Sequence, residues 1–347
     1  MKKIIKNKYA NFYLNAAEKF GLEYKIINEK IGLIRIFNEE QKLDISSNVL
    51  GVNTQLGASL STNKVKTSTL LQEENIPVPA FKTFKDTEKA TAYAMEQLKL
   101  NKSVVVKPIS GSLSIGITVN PSREKQVRKA VIEAFLEGST IMIERYIEGK
   151  HFRITVLDDE VMAITERIAS NVTGDGKSTL VELIKKKNTS RGKLNLPLIS
   201  LRDKDIDYLK SQKIDLEKVY PTGINIILQL GCDLDIGGER VRIERETIPQ
   251  VNLNLFVRAV KKLSLRFAGI DYITPNITTP YTQIRSAINE INSAPDSDVH
   301  YRDMRPGNNY AAERIIAKLF SSSIKIAKKK HEPLFNASTP IIVPISA

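Results

Sequence analysis

Several groups that mark common functional sites are scarce in this chain. It has one cysteine, Cys232, among 347 residues, so no disulfide can form within it. The three histidines, His151, His300 and His331, lie far apart, and no Cys-x-x-Cys pair occurs, so zinc-site spacing is missing. No apolar run is long enough to span a bilayer, and the basic N-terminus lacks the apolar stretch of a signal peptide. We therefore expect a cytoplasmic protein without a membrane partner.

Three familiar catalytic and nucleotide-binding motifs are also missing. The tripeptide Gly176-Lys177-Ser178 suggests a phosphate loop, but that motif needs a glycine five residues before Gly176, where this chain has Asn171. A Gly-rich turn before a helix is the better interpretation. Neither a G-x-G-x-x-G fingerprint nor the G-x-S-x-G elbow of serine hydrolases occurs. P-loop, dinucleotide-binding and α/β-hydrolase folds are thus disfavoured.

The length of 347 residues suggests two or three domains. Composition indicates a folded chain, because 41% of the residues are hydrophobic and 26% are charged. The formal net charge of +13 suits an anionic partner such as nucleic acid, a membrane surface or nucleotide phosphates. A lysine-rich surface without such a partner explains the charge equally well, since the basic residues are dispersed. The densest runs, 185–187 and 328–330, are not interleaved with aromatic residues as in a single-strand binding groove, so we expect no nucleic-acid partner.

Apolar periodicity predicts strands and helices that mix without strict alternation, which is typical of an α+β fold or of α/β subdomains. A helix is predicted over residues 9–20, and another starts near residue 64 with Thr62 as N-cap. Further helices are predicted over 253–269 and 309–330. The tail 331–347 is predicted to be loosely ordered.

The stretch NEINSAP, residues 289–295, combines an apolar strand pattern with two polar residues. Glu290 and Asn292 are two apart, so on a strand both point to the same face. Carboxylate and amide oxygens at this spacing can hold a hard cation such as magnesium. The same pattern suits a solvated edge strand, so this stretch alone leaves both interpretations open.

A second informative stretch, SVVVKPISGSLSIGI, covers residues 103–117. A buried-type strand delivers Lys107 at its end, and the small residues Ser110, Gly111 and Ser112 follow. Small residues let backbone N–H groups approach phosphate oxygens, and the lysine adds a positive charge. A plain β-hairpin with a solvated lysine fits equally well.

Taken in order, these pieces resemble ATP-grasp carboxylate–amine ligases, in particular the ATP-grasp part of cyanophycin synthetases and of bifunctional glutathione synthetases. The resemblance runs from about residue 45 to residue 320. It rests on five stretches, residues 63–79, 104–118, 141–184, 267–277 and 288–295. It implies an α+β ATP-grasp fold with ATP between two antiparallel sheets. The implied subdomains are an N-terminal α/β piece (1–75), a central lid (76–147) and a C-terminal piece with the metal ligands (148–330).

The resemblance also implies roles for individual residues. The nucleotide would be held by Lys64, Lys107, the loop Ser110, Gly111 and Ser112, the acidic Glu144, and the hinge residues Tyr146 and Ile147. The magnesium ligands would be Asp271, Glu290 and Asn292, with two ions expected and manganese as a possible substitute. His151 stands where the family often has an acidic residue for the ribose, and a neutral imidazole at that place can accept one hydrogen bond. The turn at 171–179 is a candidate second lid.

Two further departures concern the substrate. Gly269 stands where some D-alanine ligases place a phosphate-binding arginine, and the candidate substitutes are Arg240, Arg242, Arg191 and Arg167. Asp298 replaces a basic residue of the relatives, which suggests that the substrate group near it is cationic or neutral and is not an acidic amino acid. The implied reaction forms an acyl phosphate from a carboxylate and ATP, and an amine then converts it to an amide. Free amino acids or short peptides are the expected substrates, and a homo-oligomer is possible.

Alternatives to this function stay open at the level of sequence. The carboxylate could belong to a larger peptide or protein tail. The enzyme could also be a carboxylate kinase, whose reaction ends with the acyl phosphate. A different class is a non-catalytic module that binds nucleotide or nucleic acid. Such a module would be expected to lose some lysines and metal ligands, whereas Lys64, Lys107, Asp271, Glu290 and Asn292 are all present.

Overall fold

The computed structural model of the chain describes residues 5–110, 115–229, 231–301 and 310–321. The helices in these ranges are α1 Lys8–Lys19, α2 Gln55–Ser61, α3 Lys64–Glu73, α4 Thr87–Lys99, α5 Glu124–Leu136, α6 Leu180–Lys193, α7 Asp203–Ser211, α8 Gln250–Lys262 and α9 Tyr310–Leu319. The strands are β1 Glu23–Asn28, β2 Leu33–Phe37, β3 Lys42–Ser46, β4 Val49–Leu50, β5 Phe81–Phe84, β6 Val104–Pro108, β7 Thr118–Val119, β8 Ile141–Arg145, β9 Lys150–Leu157, β10 Glu160–Ile168, β11 Asn171–Thr173, β12 Asn225–Ile227, β13 Glu239–Ile243, β14 Phe267–Thr274 and β15 Ala287–Asn292. The predicted tail 331–347 lies outside the described residues.

The largest sheet has five antiparallel strands in the order β13-β10-β9-β14-β15. Side chains along each strand point alternately to the two faces of the sheet. One face carries apolar residues such as Ile154 and Ile270, which pack with helix α8 in one hydrophobic core. Phe256 of α8 meets Tyr272 of β14 edge to face, with ring centroids 5.0 Å apart. The opposite face carries charged residues and is the face of interest below.

A second antiparallel sheet has the strand order β5-β8-β6-β7 and is covered by helices α4 and α5. Its core joins valines of β6 and isoleucines of β8 to small residues of the two helices, such as Ala90 and Ala130. Mixed helices and antiparallel sheets confirm the predicted α+β class. Apolar periodicity misses α4, because the side chains it buries are only Ala90, Thr91 and Ala94.

The N-terminal part is an antiparallel sheet, β1-β2-β3-β4, packed with α1 and α9. The same core includes Leu157 and Phe267 of the five-stranded sheet. Phe12 of α1 stacks on Tyr301 with ring centroids 4.0 Å apart. Helices α1 and α9, from the two ends of the described chain, thus lie side by side, and α9 also contacts β10 of the large sheet.

A small unit is inserted between β10 and β13 and contains β11, α6, α7 and β12 with a core of its own. The Gly176-Lys177-Ser178 tripeptide lies just before α6. In this turn the Asp175 carboxylate accepts hydrogen bonds from the backbone N–H groups of Lys177 and Ser178. A Cβ on Gly174 would collide with the carbonyl oxygens of Tyr220 and Pro221. The turn is therefore closely packed at Gly174, and its role as a second lid stays a prediction.

Two helix boundaries differ from the sequence prediction. Asn63, not Thr62, caps α3, because its side chain accepts hydrogen bonds from the N–H groups of Val65 and Lys66. Helix α8 ends at Lys262 instead of continuing to 269, because Ser264 adopts a left-handed conformation with φ of 56°. Among the described residues, no helix has the length and apolarity needed to cross a bilayer.

Gly57 allows α2 to dock against the turn after α8, and this gives a stability prediction. A Cβ at Gly57 would lie 2.7 Å from the Ser264 carbonyl oxygen and 2.8 Å from Leu265 Cδ2. Gly57→Ala should therefore lower the free energy of unfolding by about 1–3 kcal/mol, although alanine favours helix. In Gly192→Ala on α6 the added Cβ would meet nothing within 4 Å. This control should gain about 0.5–1 kcal/mol. The unfolding free energy of both variants can be measured by urea denaturation. A change in the same direction in both variants would contradict the close-packing explanation.

Candidate functional site

The three predicted magnesium ligands lie on adjacent strands of the five-stranded sheet. In the β14–β15 ladder Asp271 is opposite Glu290, and Gly269 is opposite Asn292. Residues opposite each other in an antiparallel pair share a face, so Asp271, Glu290 and Asn292 form one cluster on the polar face. The prediction that Glu290 and Asn292 share a face is confirmed. The register shifts after Asp271, because Tyr272 pairs with Ile288 and leaves Asn289 as an extra residue, a β-bulge.

Lys64 reaches this cluster from helix α3, of which it is the first residue. Its Nζ lies 3.8 Å from Glu290 Oε1. Its backbone N–H donates to the carbonyl of Ile109 at 3.0 Å, so the start of α3 is tied to the segment after β6. The ammonium group therefore faces the cluster of predicted metal ligands beside the Ser110 segment.

Lys107 reaches the same place from the four-stranded sheet. Its side chain is 3% exposed, and its Nζ lies 2.6 Å from Glu144 Oε1 on the neighbouring strand β8. A second, longer hydrogen bond of 3.4 Å runs to Oδ1 of Asn289, the bulge residue of β15. Lys107 thus spans the two sheets, as a nucleotide site between them requires.

Two arginines meet at Asp271: Arg153, which sequence reasoning did not place, and Arg167, which was one of the candidate substitutes. Arg153 of β9 is opposite Asp271 and donates from Nε to its Oδ1 at 2.6 Å. Arg167 of β10 lies 3.1 Å from the other carboxylate oxygen. The alternation of β9 places Arg153 and His151 on one face, but only the strand register shows that Asp271 is opposite. Both carboxylate oxygens retain lone pairs for a cation.

The two carboxyl groups of the cluster differ in proton affinity. Burial raises the pKa of Asp271, but the charges of Arg153 and Arg167 outweigh it and hold the pKa below its ordinary value. For Glu290, burial and the nearby Asp271 charge raise the pKa above the ordinary value, although Lys64 and Lys107 oppose this. A divalent cation between them would favour the ionised form of both.

The donor set fits a hard cation. Two carboxylates and one amide oxygen are the ligand types that magnesium takes, with phosphate oxygens and water completing the octahedron. Within the described ranges no group of three or more His, Cys, Asp and Glu side chains comes together, so softer metals find no comparable site there.

The predicted adenine hinge follows β8. The Tyr146 N–H donates to the Ser103 carbonyl at 2.9 Å, and Ile147 packs with Ile273 and Ala287 of the large sheet in a small apolar cluster. The flat ring of adenine would pack well on such an apolar surface beside Glu144. Ser110 is exposed at the end of the described segment, whereas Gly111 and Ser112 lie outside the described residues.

His151 lies at the edge of the same region, opposite Ile273 on β14 and Arg167 on β10. Burial and the Arg167 charge lower its pKa, so it is uncharged near pH 7 and can accept a hydrogen bond. His151 could therefore accept a hydrogen bond from a ribose hydroxyl, as predicted, although it lacks the negative charge of the acidic residue expected there.

The other three arginines predicted from the sequence are dispersed. Arg240 of β13 is opposite Arg167 and donates to the Asp298 carbonyl. Arg242 lies over the Tyr310 ring, 4.1 Å from its centroid. Arg191 donates to the carbonyls of Pro197 at 2.6 Å and Gly238 at 3.2 Å in the inserted unit. The Asp298 carboxylate pairs with Lys8 of α1 at 2.6 Å, which already neutralises the charge we expected to face a substrate.

Residues 61–187 match the RimK-like ATP-grasp domain. The chain therefore contains a RimK-like ATP-grasp domain. Over 278 residues it is 33% identical to cyanophycin synthetase from Synechocystis sp., an alignment that covers 77% of this chain and 31% of that protein. It is 28% identical over 314 residues to the glutathione biosynthesis bifunctional protein GshAB from Clostridium perfringens, covering 88% of this chain and 40% of that protein.

A solved structure supports the ATP-grasp fold. The crystal structure of a bifunctional glutathione synthetase from Pasteurella multocida superimposes with a TM-score of 0.63 at 24% identity, covering 90% of this chain and 43% of that one. This ATP-grasp chain spans about a third of the length of the curated relatives it matches.

Variants of the Lys107–Glu144 ion pair can distinguish its contribution to stability from the predicted role of Lys107 in ATP binding. Lys107→Met should destabilise the protein by about 3 kcal/mol, because it leaves Glu144 buried without its cation. The double variant Lys107→Met, Glu144→Leu should recover most of that stability, since both buried charges are gone. Neither variant should bind ATP tightly, because the phosphate-facing ammonium is missing. Melting temperatures and titration with a fluorescent ATP analogue measure the two effects. ATP affinity restored in the double variant would contradict the predicted role of Lys107.

His300 anchors the segment after β15 and gives a pH prediction. Its ring nitrogens lie 2.6 Å from Thr155 Oγ1 and 2.9 Å from Thr165 Oγ1. Burial, with the charges of Arg153 and Arg240, lowers its pKa to about 3. The unfolded chain binds this proton near pH 6.5, so the contribution of His300 is present above that pH and is lost as the pH falls.

Between pH 7.5 and pH 5 the protein should lose about 2 kcal/mol of unfolding free energy through His300. The variant His300→Gln should show a pH dependence weaker by that amount. Thr155→Val, which keeps the titrating group, serves as the control and should retain the full slope. Unfolding followed by circular dichroism at both pH values measures it. A variant slope equal to the wild-type slope would contradict the assignment.

Proposed function

We propose that this chain is an ATP-dependent carboxylate–amine ligase. The observation that carries the proposal is the convergence of Lys64 and Lys107 from two elements on the cluster of Asp271, Glu290 and Asn292. Such a site binds a triphosphate between two sheets and leaves the γ-phosphate next to the polar face. The names of the relatives, cyanophycin synthetase and a glutathione biosynthesis protein, agree with amide formation.

In the proposed reaction a substrate carboxylate oxygen attacks the γ-phosphorus of ATP. The bond to the β-phosphate oxygen breaks, which gives an acyl phosphate and ADP. An amine then attacks the acyl carbon, phosphate leaves and the amine loses a proton. Free amino acids or short peptides are the proposed substrates. The proposed subdomains are 1–75, 76–147 and 148–330.

The chain's own residues would hold and orient these groups. The lysines Lys64 and Lys107 would bind the phosphates, and the Ser110–Ser112 loop would exclude water. Glu144, Tyr146, Ile147 and His151 would hold the nucleoside. Asp271, Glu290 and Asn292 would hold two magnesium ions, which when bound would neutralise charge on the transferring phosphate.

Arg153 and Arg167 are better candidates than Arg191 or Arg242 for the arginine that binds this phosphate. Their guanidinium groups already lie against Asp271, on the face where the phosphate would transfer. Fixed cations at that place stabilise the developing charge. Arg240, beside Arg167 on β13, stays a third candidate, and we do not assign Arg191 or Arg242 to this role.

Hydroxylamine trapping tests the proposal. Protein, MgATP and hydroxylamine are mixed with pools of amino acids, dipeptides and longer acidic peptides, and hydroxamate and ADP are measured. We expect hydroxamate from one pool, and a loss of at least about 100-fold in Glu290→Gln, which removes one metal-binding charge. The matched control is Glu166→Gln, on the opposite face of the sheet, which should keep its rate. ADP with no hydroxamate from any pool, or equal rates in both variants, would reject a ligase that works through this site.

A further inference from the structure

The side chain of Asn53 makes four hydrogen bonds, which use its full capacity. Its Oδ1 accepts from the N–H groups of Arg266 at 3.0 Å and Phe267 at 2.8 Å. Its Nδ2 donates to the carbonyl of Phe267 at 2.7 Å and to that of Ser293 at 2.9 Å. All four partners are backbone groups, so this side-chain amide makes the kind of hydrogen bonds that the backbone of a neighbouring strand would make.

The partners of Asn53 belong to the two strands that carry the metal cluster. Phe267 is the first residue of β14, which holds Asp271, and Ser293 directly follows Asn292 at the end of β15. The last ladder pair at this end is Gly269 with Asn292. Beyond it the chain bends at Ser293 and Ala294, and backbone pairing stops. The Asn53 amide continues the connection between the strands past that last pair.

A second contact joins the same point to the lysine-bearing helix. The Ser293 hydroxyl lies 3.1 Å from the hydroxyl of Ser61 at the end of α2. Helix α3, with Lys64 at its start, follows after two residues. Ser293 is therefore held from both sides by the segment that leads to Lys64.

We propose that Asn53 is a positioning residue for the magnesium centre, which it serves by fixing the distance between the strands of Asp271 and Asn292. The inference rests on the proposed function, since it requires a cation at this cluster. Magnesium tolerates little deviation from octahedral geometry, so a small separation of the two strands weakens binding. Partners that orient metal ligands in this way typically change metal affinity about 10–100-fold when they are lost.

The test is the affinity for Mn²⁺, measured by electron paramagnetic resonance in the presence of the non-hydrolysable analogue AMPPNP. Asn53→Asp keeps both accepted hydrogen bonds but faces the carbonyls of Phe267 and Ser293 with an oxygen. We expect Mn²⁺ affinity to fall about tenfold, whereas AMPPNP affinity measured in EDTA stays unchanged. Asn53→Ser, which removes the bridge without adding charge, should show the same split and serves if the aspartate variant fails to fold.

The matched control is Thr54→Val at the next position. The Thr54 hydroxyl binds the N–H of Gly57 and the carbonyl of Ser264, each at 3.0 Å, so it fixes the same segment. Its loss should lower the melting temperature but leave Mn²⁺ affinity unchanged. Equal Mn²⁺ affinity in wild type and both Asn53 variants would overturn the positioning role alone. Failure of the wild type to bind Mn²⁺ with AMPPNP would instead overturn the proposed function.

Discussion

A carboxylate in the middle of a sheet must be compensated before the sheet can form around it, and Asp271 is compensated by two arginines. Its side chain is only 12% exposed, and a guanidinium group lies on each of its oxygens. Removing one partner from such a group costs about 3–5 kcal/mol, because a buried charge is left alone. The register of β9, β10 and β14 therefore has to bring these three residues together, and it fixes which residues share the polar face.

Once that register is set, the rest of the site follows from alternation. Glu290 comes opposite Asp271, and Asn292 comes opposite Gly269. The bulge at Asn289 turns an extra amide toward the four-stranded sheet, where Lys107 reaches it. Lys107 is in turn buried against Glu144, so the ammonium group has little freedom to move. The same residues thus set both the stability of the sheet contact and the charge pattern of the cleft.

Much of this site could be predicted from short stretches of sequence. The two-residue spacing of Glu290 and Asn292 is a local pattern, and so is Lys107 at the end of an apolar strand. Arg153 and Asn53 could not be found in this way. Asn53 acts on residues more than 200 positions away, and the partner of Arg153 depends on strand register. The cap of α3 shows the limit of local patterns, because Asn63 and Thr62 are both good caps and only the backbone distinguishes them.

The balance of charge in the cleft bears on the proposed substrate. Four cations, Lys64, Lys107, Arg153 and Arg167, face the three carboxylates Asp271, Glu290 and Glu144. The triphosphate and two magnesium ions of the proposed reaction nearly cancel each other, so one positive charge is left over. A substrate carboxylate beside the γ-phosphate balances that charge, whereas an alcohol or an ammonium group does not. Low dielectric inside a closed cleft would make such an imbalance unfavourable, so the proposed site would favour an anionic nucleophile in the first step. In the proposed reaction the amine would react only after the acyl phosphate has formed, because a free carboxylate offers no leaving group for the amine to displace.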